Sequence, residues 1–244
     1  LSGVISEMVK LPSFINYLKV RGSYTEVGSP ISKTGITPGT ITHKLTSTGL
    51  ETNKVYPYPD FKAERTASWE AGLNTKLFDN SLSVDLTLYK SNTYNQFFEQ
   101  QLSSSSIYSS FYLQAGDVEN RGIELAVNYN KEFLNKQLAW NTTLTYSRNV
   151  NEIKKLVRGY RNPFTGDLFD ITEVRKGGTV LREGGSLSDI IVKGVLSRDV
   201  NGNLIENASG FQYDETQEIK LGRSSPDFQM GWRNTLWKSG RSEE

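Results

Sequence analysis

The sequence contains no cysteine and only one histidine, His43, in 244 residues. Without cysteine there are no disulfides and no thiolate nucleophiles, and zinc sites that need cysteine are excluded. One histidine cannot build a multi-histidine metal site. Because His43 stands alone in a Thr/Gly/Ser-rich segment, no serine or threonine nucleophile with a histidine partner can be proposed. We expect no catalytic residue, no metal and no cofactor, and interpret the chain as not an enzyme.

Long hydrophobic runs are also missing. A helix that crosses a membrane needs about 18 or more consecutive apolar residues, and the longest apolar cluster here is Ile190-Ile191-Val192. A transmembrane helix is therefore not expected. A closed barrel of alternating strands crosses a membrane without such a run, so this absence does not exclude a membrane protein.

An excess of charge of one sign is lacking as well. The chain has 28 basic and 27 acidic residues and a net charge of +1. This balance gives no electrostatic reason to expect nucleic acid as a partner. Hydrophobic residues make up 36% of the chain, which is low for a protein built around one packed core. It suits a chain with two faces that meet different surroundings.

The sequence does contain alternation with a period of two, which is typical of strands with one apolar and one polar side. Weaker copies occupy residues 18–24, 69–77 and 228–236. In all we count about eight strands, and glycines in the weaker copies predict bulges or close approaches. The clearest apolar series are Leu82, Val84, Leu86 and Leu88; Ile123, Leu125, Val127 and Tyr129; and Leu138, Trp140, Leu144 and Tyr146, with Thr142 as the break in the last. The glycines are Gly22, Gly72 and Gly231.

Short and long connections alternate between these strands. Residues 78–81 and 134–136 form short turns, whereas 28–65, 99–116 and 155–188 are long and polar. Barrels of the outer membrane have short periplasmic turns and long outer loops. The aromatic residues Tyr129 and Trp140 lie near a short turn, and Tyr146 and Trp69 lie near the long loops, as in interfacial girdles. A soluble β-sandwich also alternates and remains the competing fold.

A hairpin is predicted where Asn201-Gly202 separates two short apolar runs. The same stretch is faintly similar to a calcium loop, with Asp199, Asn201, Asn203 and Glu206 as possible ligands. The glycine is at the fourth position instead of the sixth, and no helix is expected on either side. We therefore favour the hairpin and leave calcium open.

Three segments resemble the C-terminal part of the SusC/RagA family of TonB-linked outer-membrane proteins. Residues 60–73, DFKAERTASWEAGL, are similar to the family's LKPERT-x-SWE-x-G, with Ala63 in place of the proline. Residues 115–125, AGDVENRGIEL, follow Gln114 and are similar to NAG-x-V-x-N-x-GIEL. Residues 221–231, LGRSSPDFQMG, with Asn234 after them, resemble LG-x-x-x-PDF-x-x-G-x-x-N. Together these segments, in this order, cover most of residues 18–237.

The resemblance implies an all-β fold, an antiparallel up-and-down meander that is part of a large transmembrane barrel of about 22 strands around a plug. It implies a cell outer membrane of the Bacteroidetes type, a SusD-like surface lipoprotein, energy from the TonB complex, and import of glycans or peptides. On this interpretation the apolar faces meet outer-membrane lipids and the polar faces meet the lumen. The lipid-facing residues would include Leu86, Leu125 and Leu144, and the lumen-facing residues Asp85, Glu124, Asn128, Asn141 and Thr143.

We interpret residues 1–244 as a partial barrel domain, with the plug domain and the TonB-interaction segment absent from this chain. It starts at Leu1 without a signal peptide, as a processed or cropped chain does, and its end lacks the strand with a terminal aromatic residue that the family has. Two other functions remain open: a passive porin, and a secreted β-sandwich that binds glycans. No substrate-binding residue is assigned. The loop aromatics of the sandwich alternative are Tyr108, Phe111, Tyr112 and Tyr160.

Overall fold

The computed structural model describes residues 1–29, 43–52, 62–106, 108–133, 137–161, 166–176 and 179–238. The predicted short turn at 134–136 lies outside the described residues, and so do the first two residues of the 60–73 segment. The elements are β1 (Ser2–Val4), α1 (Ile5–Met8), β2 (Ile15–Ser29), β3 (His43–Thr46), β4 (Gly49–Thr52), β5 (Glu64–Leu77), β6 (Leu82–Gln101), β7 (Ser110–Phe133), β8 (Leu138–Lys155), β9 (Val157–Arg161), β10 (Leu168–Ile171), β11 (Glu173–Lys176), β12 (Thr179–Arg182), β13 (Asp189–Leu196), β14 (Glu206–Asn207), β15 (Gly210–Phe211), β16 (Tyr213–Arg223) and β17 (Gln229–Lys238).

Seven strands form one antiparallel sheet in the order β1-β2-β5-β6-β7-β8-β17. From β2 to β17 each strand of this sheet pairs with the sheet's next strand along the chain, so the predicted up-and-down meander is confirmed. The sheet is open, with β1 and β17 as its edges. The expectation of about eight strands was too low, because five further two-stranded sheets lie in the long connections.

Period-two alternation produces two chemically different faces. Leu86 on β6 is opposite Leu73 on β5 and Leu125 on β7, and Leu125 is opposite Tyr146 on β8. This side is the apolar face. Asp85, one residue earlier, points to the other side with its partners Asn74 and Ala126, and this side is the polar face. The predicted division of lipid-facing and lumen-facing residues follows this pairing, because successive side chains of a strand point to opposite sides.

The turn between β5 and β6 is tight. Phe78, Asp79 and Asn80 all have positive φ angles, of 54°, 54° and 64°, and Ser81 N donates to Phe78 O at 3.0 Å. Asp and Asn tolerate this left-handed region, whereas it is strained for phenylalanine. The connection at the opposite end of β2 and β5 is long, so short and long connections alternate as expected.

The apolar face of the sheet is not covered by a second sheet within the described residues. Leu88 is 43% exposed, Leu144 39% and Trp232 73%. Isolated exposed leucines are ordinary, but a continuous exposed apolar sheet face marks a surface that meets lipid or a partner. The β-sandwich interpretation is therefore wrong, because a sandwich buries this face between two sheets.

The buried core lies at the long-connection end of the molecule. Its residues come from β6, β7, β8 and the following connection: Phe98, Val118, Ile153, Leu156, Val157 and Val174, with Phe111, Tyr160, Ile171 and Leu181 packed around them. Residues 155–188 were expected to be a polar loop, and instead they contain β9 to β12. The loop predicted at 99–116 is also shorter, since β6 continues to Gln101 and β7 starts at Ser110.

One helix, α1, is present among the described residues, and it has four residues. None of the described helical structure is long and apolar enough to cross a membrane.

Candidate solute-facing surface

A hydrogen-bonded network of polar side chains joins β2, β5 and β6 on the polar face. The Arg21 guanidinium donates to both carboxylate oxygens of Asp85, at 3.0 and 3.4 Å, and also to the hydroxyl of Thr87. Arg21 Nε lies 3.5 Å from Glu70 Oε1, and Asn74 Nδ2 donates to Asp85 Oδ2 at 2.9 Å. Because these side chains are partly exposed, solvent screens the ion pairs. Their main effect is to fix the positions of donors and acceptors on this face.

Gly72 leaves the space that Arg21 occupies. The two residues are paired in register, and a Cβ added at Gly72 would lie 2.4 Å from Arg21 Nε. Any larger residue would displace the guanidinium. The predicted close approach is confirmed at this glycine, and the β2–β5 register is unbroken there.

A recess lies beside this network on the polar face. Its lining includes Arg21, Thr87, Glu124, Thr145 and Gln229. Glu124 is exposed in this recess. The recess therefore presents an exposed carboxylate, that of Glu124, next to the guanidinium of Arg21, which is paired with Asp85.

Most other side chains on the polar face of β7 and β8 are neutral hydrogen-bonding groups. Asn128 Nδ2 donates to Thr143 Oγ1 at 2.8 Å and lies 3.4 Å from Asn141 Oδ1. Nearer the long connections, Tyr89 Oη donates to Asn149 Oδ1 at 3.3 Å. Amides and hydroxyls both donate and accept hydrogen bonds, so this wall suits uncharged polar solutes such as sugars or peptide groups.

Strands β9 to β16, here called the loop assembly, overhang the polar face at its long-connection end. Val118 and Ile153 are paired in register. Each is two residues from a polar-face residue of its strand, Asn120 or Asn151, and therefore points to the same face. They are 1% and 0% exposed because Val174 and its neighbours in the assembly cover them. This apolar contact places the assembly above the polar wall.

Backbone hydrogen bonds secure the same contact. Ile153 N donates to Gly185 O and Gly184 N donates to Ile153 O, both at 2.8 Å. The Asn151 side chain accepts from Leu187 N at 2.8 Å. The edge of β8 beyond β17 is therefore paired instead of open, which is how an exposed strand edge is protected from other chains.

Ion pairs link the separate hairpins of the loop assembly. Glu218 on β16 lies 2.7 Å from Arg175 Nη1 and also binds Arg182, and both arginines bind Glu173. The hydrogen bond from Arg175 is the main cause that lowers the pKa of Glu218 to about 2, from 4.5. Since the folded-state pKa is the lower one, these pairs stabilise the fold above pH 4.5 and are lost only as pH falls through about 2.

The hairpin predicted around Gly202 is confirmed. Gly202 has φ +85°, and Arg198 and Leu204 form a β-bridge across the turn. The Asp199 carboxylate accepts hydrogen bonds from Asn203 N and Asn201 N at 2.8 Å each, and these bonds lower its pKa. The Asp199 carboxylate, considered above as a possible calcium ligand, therefore stabilises the turn to which it belongs. No group of three or more His, Cys, Asp or Glu side chains able to hold a metal occurs in the described ranges.

Two of the four loop aromatics of the sandwich alternative are partly buried. Phe111 and Tyr160 pack on the buried core with ring centroids 6.1 Å apart, and Tyr112 is part of β7. His43, the single histidine, opens β3 in another connection.

The apolar face carries aromatic pairs at both of its ends. At the short-turn end Tyr129 and Trp140 meet edge to face with ring centroids 5.7 Å apart. At the long-connection end Trp69 on β5 is paired in register with Tyr24 on β2, and Tyr146 and Phe228 stack at 5.9 Å nearer the middle of the band. Such rows at both borders of an apolar band are typical of a membrane-spanning barrel.

Thr142, which interrupts the apolar series of β8, has a specific partner. The indole N–H of Trp232 on β17 donates to its hydroxyl at 2.9 Å. Trp140 Nε1 likewise donates to Asn234 Oδ1 at 3.2 Å. These two indole N–H groups are satisfied by side chains of the adjacent strand, as a region without water requires.

Residues 10–233 match the family model for the TonB dependent receptor-like β-barrel. The chain belongs to this family. It is an outer-membrane family, and its members are receptors and transporters and not enzymes. The family assignment made from the three sequence segments is confirmed.

Two curated relatives are TonB-dependent receptors of Formosa agariphila. "TonB-dependent receptor P3" is 29% identical over 199 residues, which is 72% of this chain and 19% of the relative. "TonB-dependent receptor P39" is 27% identical over 231 residues, which is 90% of this chain and 19% of the relative. The chain therefore spans about a fifth of the length of these TonB-dependent receptors.

Solved structures confirm the fold of this partial TonB-dependent receptor barrel. The chain matches one titled "Structure of the RagAB peptide transporter" with a TM-score of 0.72 and 17% identity, covering 98% of this chain and 27% of that one. A RagAB peptide importer in a "closed-closed" state matches with a TM-score of 0.71 and the same identity and coverage.

The indole bond to Thr142 gives a test of the lipid-facing surface. In the intact receptor, Thr142→Val should destabilise the barrel by about 1–2 kcal/mol, because the Trp232 N–H then has no acceptor in a region without water. A double-mutant cycle with Trp232→Phe, measured by denaturant unfolding in bilayers, checks this. In the Trp232→Phe background the valine change should cost little. An equal cost in both backgrounds would contradict the bond.

Proposed function

We propose that this chain is part of the wall of an active outer-membrane nutrient importer. The observation that carries the proposal is the two-faced sheet. One face is apolar, exposed and bordered by aromatic pairs, and the other is polar and carries the recess with Arg21 and Glu124. In a closed barrel the first meets lipid and the second lines the lumen.

Membership of the TonB-dependent receptor family favours active import over passive diffusion. A TonB-dependent receptor draws energy through TonB, whereas the porin alternative has no such coupling. The plug and the TonB-interaction segment would belong to the remainder of the intact protein, of which this chain represents about a fifth. The wall itself performs no chemistry, and the solute would enter unchanged.

The solute we propose is a bulky glycan or peptide, delivered with a SusD-like lipoprotein on the outer surface. The amides and hydroxyls of Asn128, Asn141 and Thr143 suit the hydroxyls of a sugar and the polar groups of a peptide backbone equally. Peptide import is supported by the fold shared with the RagAB peptide transporter. The loop assembly, at the outer end, offers the surface on which a lipoprotein would rest.

Uptake by cells that carry the intact transporter tests this function. Fluorescent oligopeptides and oligosaccharides of matched size are supplied to wild-type cells, to cells without the transporter gene and to cells without TonB. We expect one solute class to accumulate only in the wild type, and to be recovered intact. Accumulation that persists without TonB would indicate a porin instead.

A further inference from the structure

A cluster of charged side chains lies on the outward side of β6, β7 and β8, directly above the apolar band. Three cations surround the carboxylate of Glu119, which is 7% exposed. Lys90 Nζ lies 2.7 Å from it, and Arg121 Nη1 and Lys154 Nζ each lie 3.8 Å from it. The side chains of all these residues point to the same side of the sheet as those of Leu88, Ile123 and Tyr146. They therefore face away from the lumen, and we call them, with Glu152 and Arg148, the outer basic patch.

The outer basic patch has more positive than negative charge. Glu152, which pairs with Lys154 at 2.8 Å, is its second carboxylate. Arg148 is exposed, lies opposite Ile123 at the upper border of the apolar band, and is the diagonal neighbour of Arg121 across β7 and β8. Four cations thus share two carboxylates. Arg121 is 58% exposed and its ion pairs are long, at 3.8 and 3.9 Å, so guanidinium donors remain available to an external anion.

The height of the patch matches a lipid headgroup. Tyr129 and Arg121 mark the two borders of the apolar band on β7 and are eight residues apart. At ~3.4 Å per residue this is about 27 Å along the strand, or about 20 Å along the membrane normal at a tilt of about 40°. The long connections lie on the side of Arg121, which places the patch at the outer leaflet.

We propose that the outer basic patch binds the phosphate groups of a phosphorylated glycolipid in the outer leaflet. A phosphate accepts paired hydrogen bonds from a guanidinium and balances the residual charge of the patch. The acyl chains of the same lipid would lie along Leu88 and Ile123, which are paired just below. Because one molecule must satisfy both the charged and the apolar part, the patch fits a lipid better than a free anion. The proposal requires outer-membrane placement but does not require that the proposed solute class is correct.

Binding of lipid A to the intact transporter in bilayer nanodiscs tests the proposal. The probe is lipid A with both phosphates, compared with the dephosphorylated form and with millimolar inorganic phosphate as competitor. The wild type should prefer the phosphorylated form, and inorganic phosphate should not displace it. The double variant Arg121→Gln, Arg148→Gln should bind at least about tenfold more weakly, since two charge-assisted contacts are lost.

Lys131→Gln is the matched control. Lys131 is exposed on the same side of β7, ten residues from Arg121 and below the apolar band, so its loss should leave lipid A binding unchanged. Equal binding by wild type and double variant, or no preference for the phosphorylated form, would refute the proposal. Displacement by inorganic phosphate would show a free-anion site instead of a lipid site. Solute uptake is measured in the same variants. Uptake tests the import function and lipid A binding tests the patch, so a failure of one proposal can be told from a failure of the other.

Discussion

Replacing Leu86 with arginine is expected to destabilise the folded barrel by about 2–4 kcal/mol, the cost of a cation on the lipid face near the bilayer midplane. Leu86 lies in the middle of the apolar band on β6, between Leu73 and Leu125 on the neighbouring strands. A long charged side chain at this depth reaches neither border of the band without distorting the strand or the lipid around it.

Asn128→Arg is the control on the opposite face. Asn128 lies on the polar face, where it bonds to Thr143 and Asn141. Its replacement should cost about 1 kcal/mol, since it loses these hydrogen bonds but leaves the new charge in a wet lumen. Reversible unfolding of the intact transporter in lipid bilayers, followed by guanidinium titration, measures both. Equal losses for the two variants would overturn the assignment of the faces.

The sheet and its two faces could be predicted because period two is a direct consequence of strand geometry. Leu82 to Leu88 already show which residues share a side, without any knowledge of the neighbouring strands. Register could not be predicted in this way. The bonds from Arg21 to Asp85, 64 residues apart, and from Trp232 to Thr142, 90 apart, depend on which strands are adjacent.

The strands of the loop assembly could not be predicted from the sequence for another reason. Its strands β10, β11 and β12 have four residues each, too few to show alternation. One of its core residues, Val174, stands between two charged residues. Its core residues are buried only because β6, β7 and β8 extend upward and supply Phe98, Val118 and Ile153 as partners. The sequence signal that could have indicated this core is two adjacent apolar pairs, Leu156-Val157 and Val180-Leu181, in a segment predicted to be a polar loop.

Ile153→Ala is expected to loosen the loop assembly by about 2–5 kcal/mol, the usual cost of truncating a fully buried isoleucine. Ile153 is 0% exposed and contacts the core at the point where β8 meets the assembly. The backbone bonds of Ile153 to Gly184 and Gly185 are kept in the variant, so the effect comes from lost packing. The membrane-spanning part of the sheet should keep its stability, since the cavity lies above it.

Hydrogen exchange measured by mass spectrometry on the intact transporter locates this effect. Amides of β11 and β12 should exchange about 30-fold faster or more if the loss reaches 2 kcal/mol, whereas those of β5 should not change. Ile190→Ala is the matched control, because Ile190 belongs to the same assembly but is 42% exposed. If both variants changed exchange in β11 and β12 equally, Ile153 would not be the packing link between barrel wall and loops.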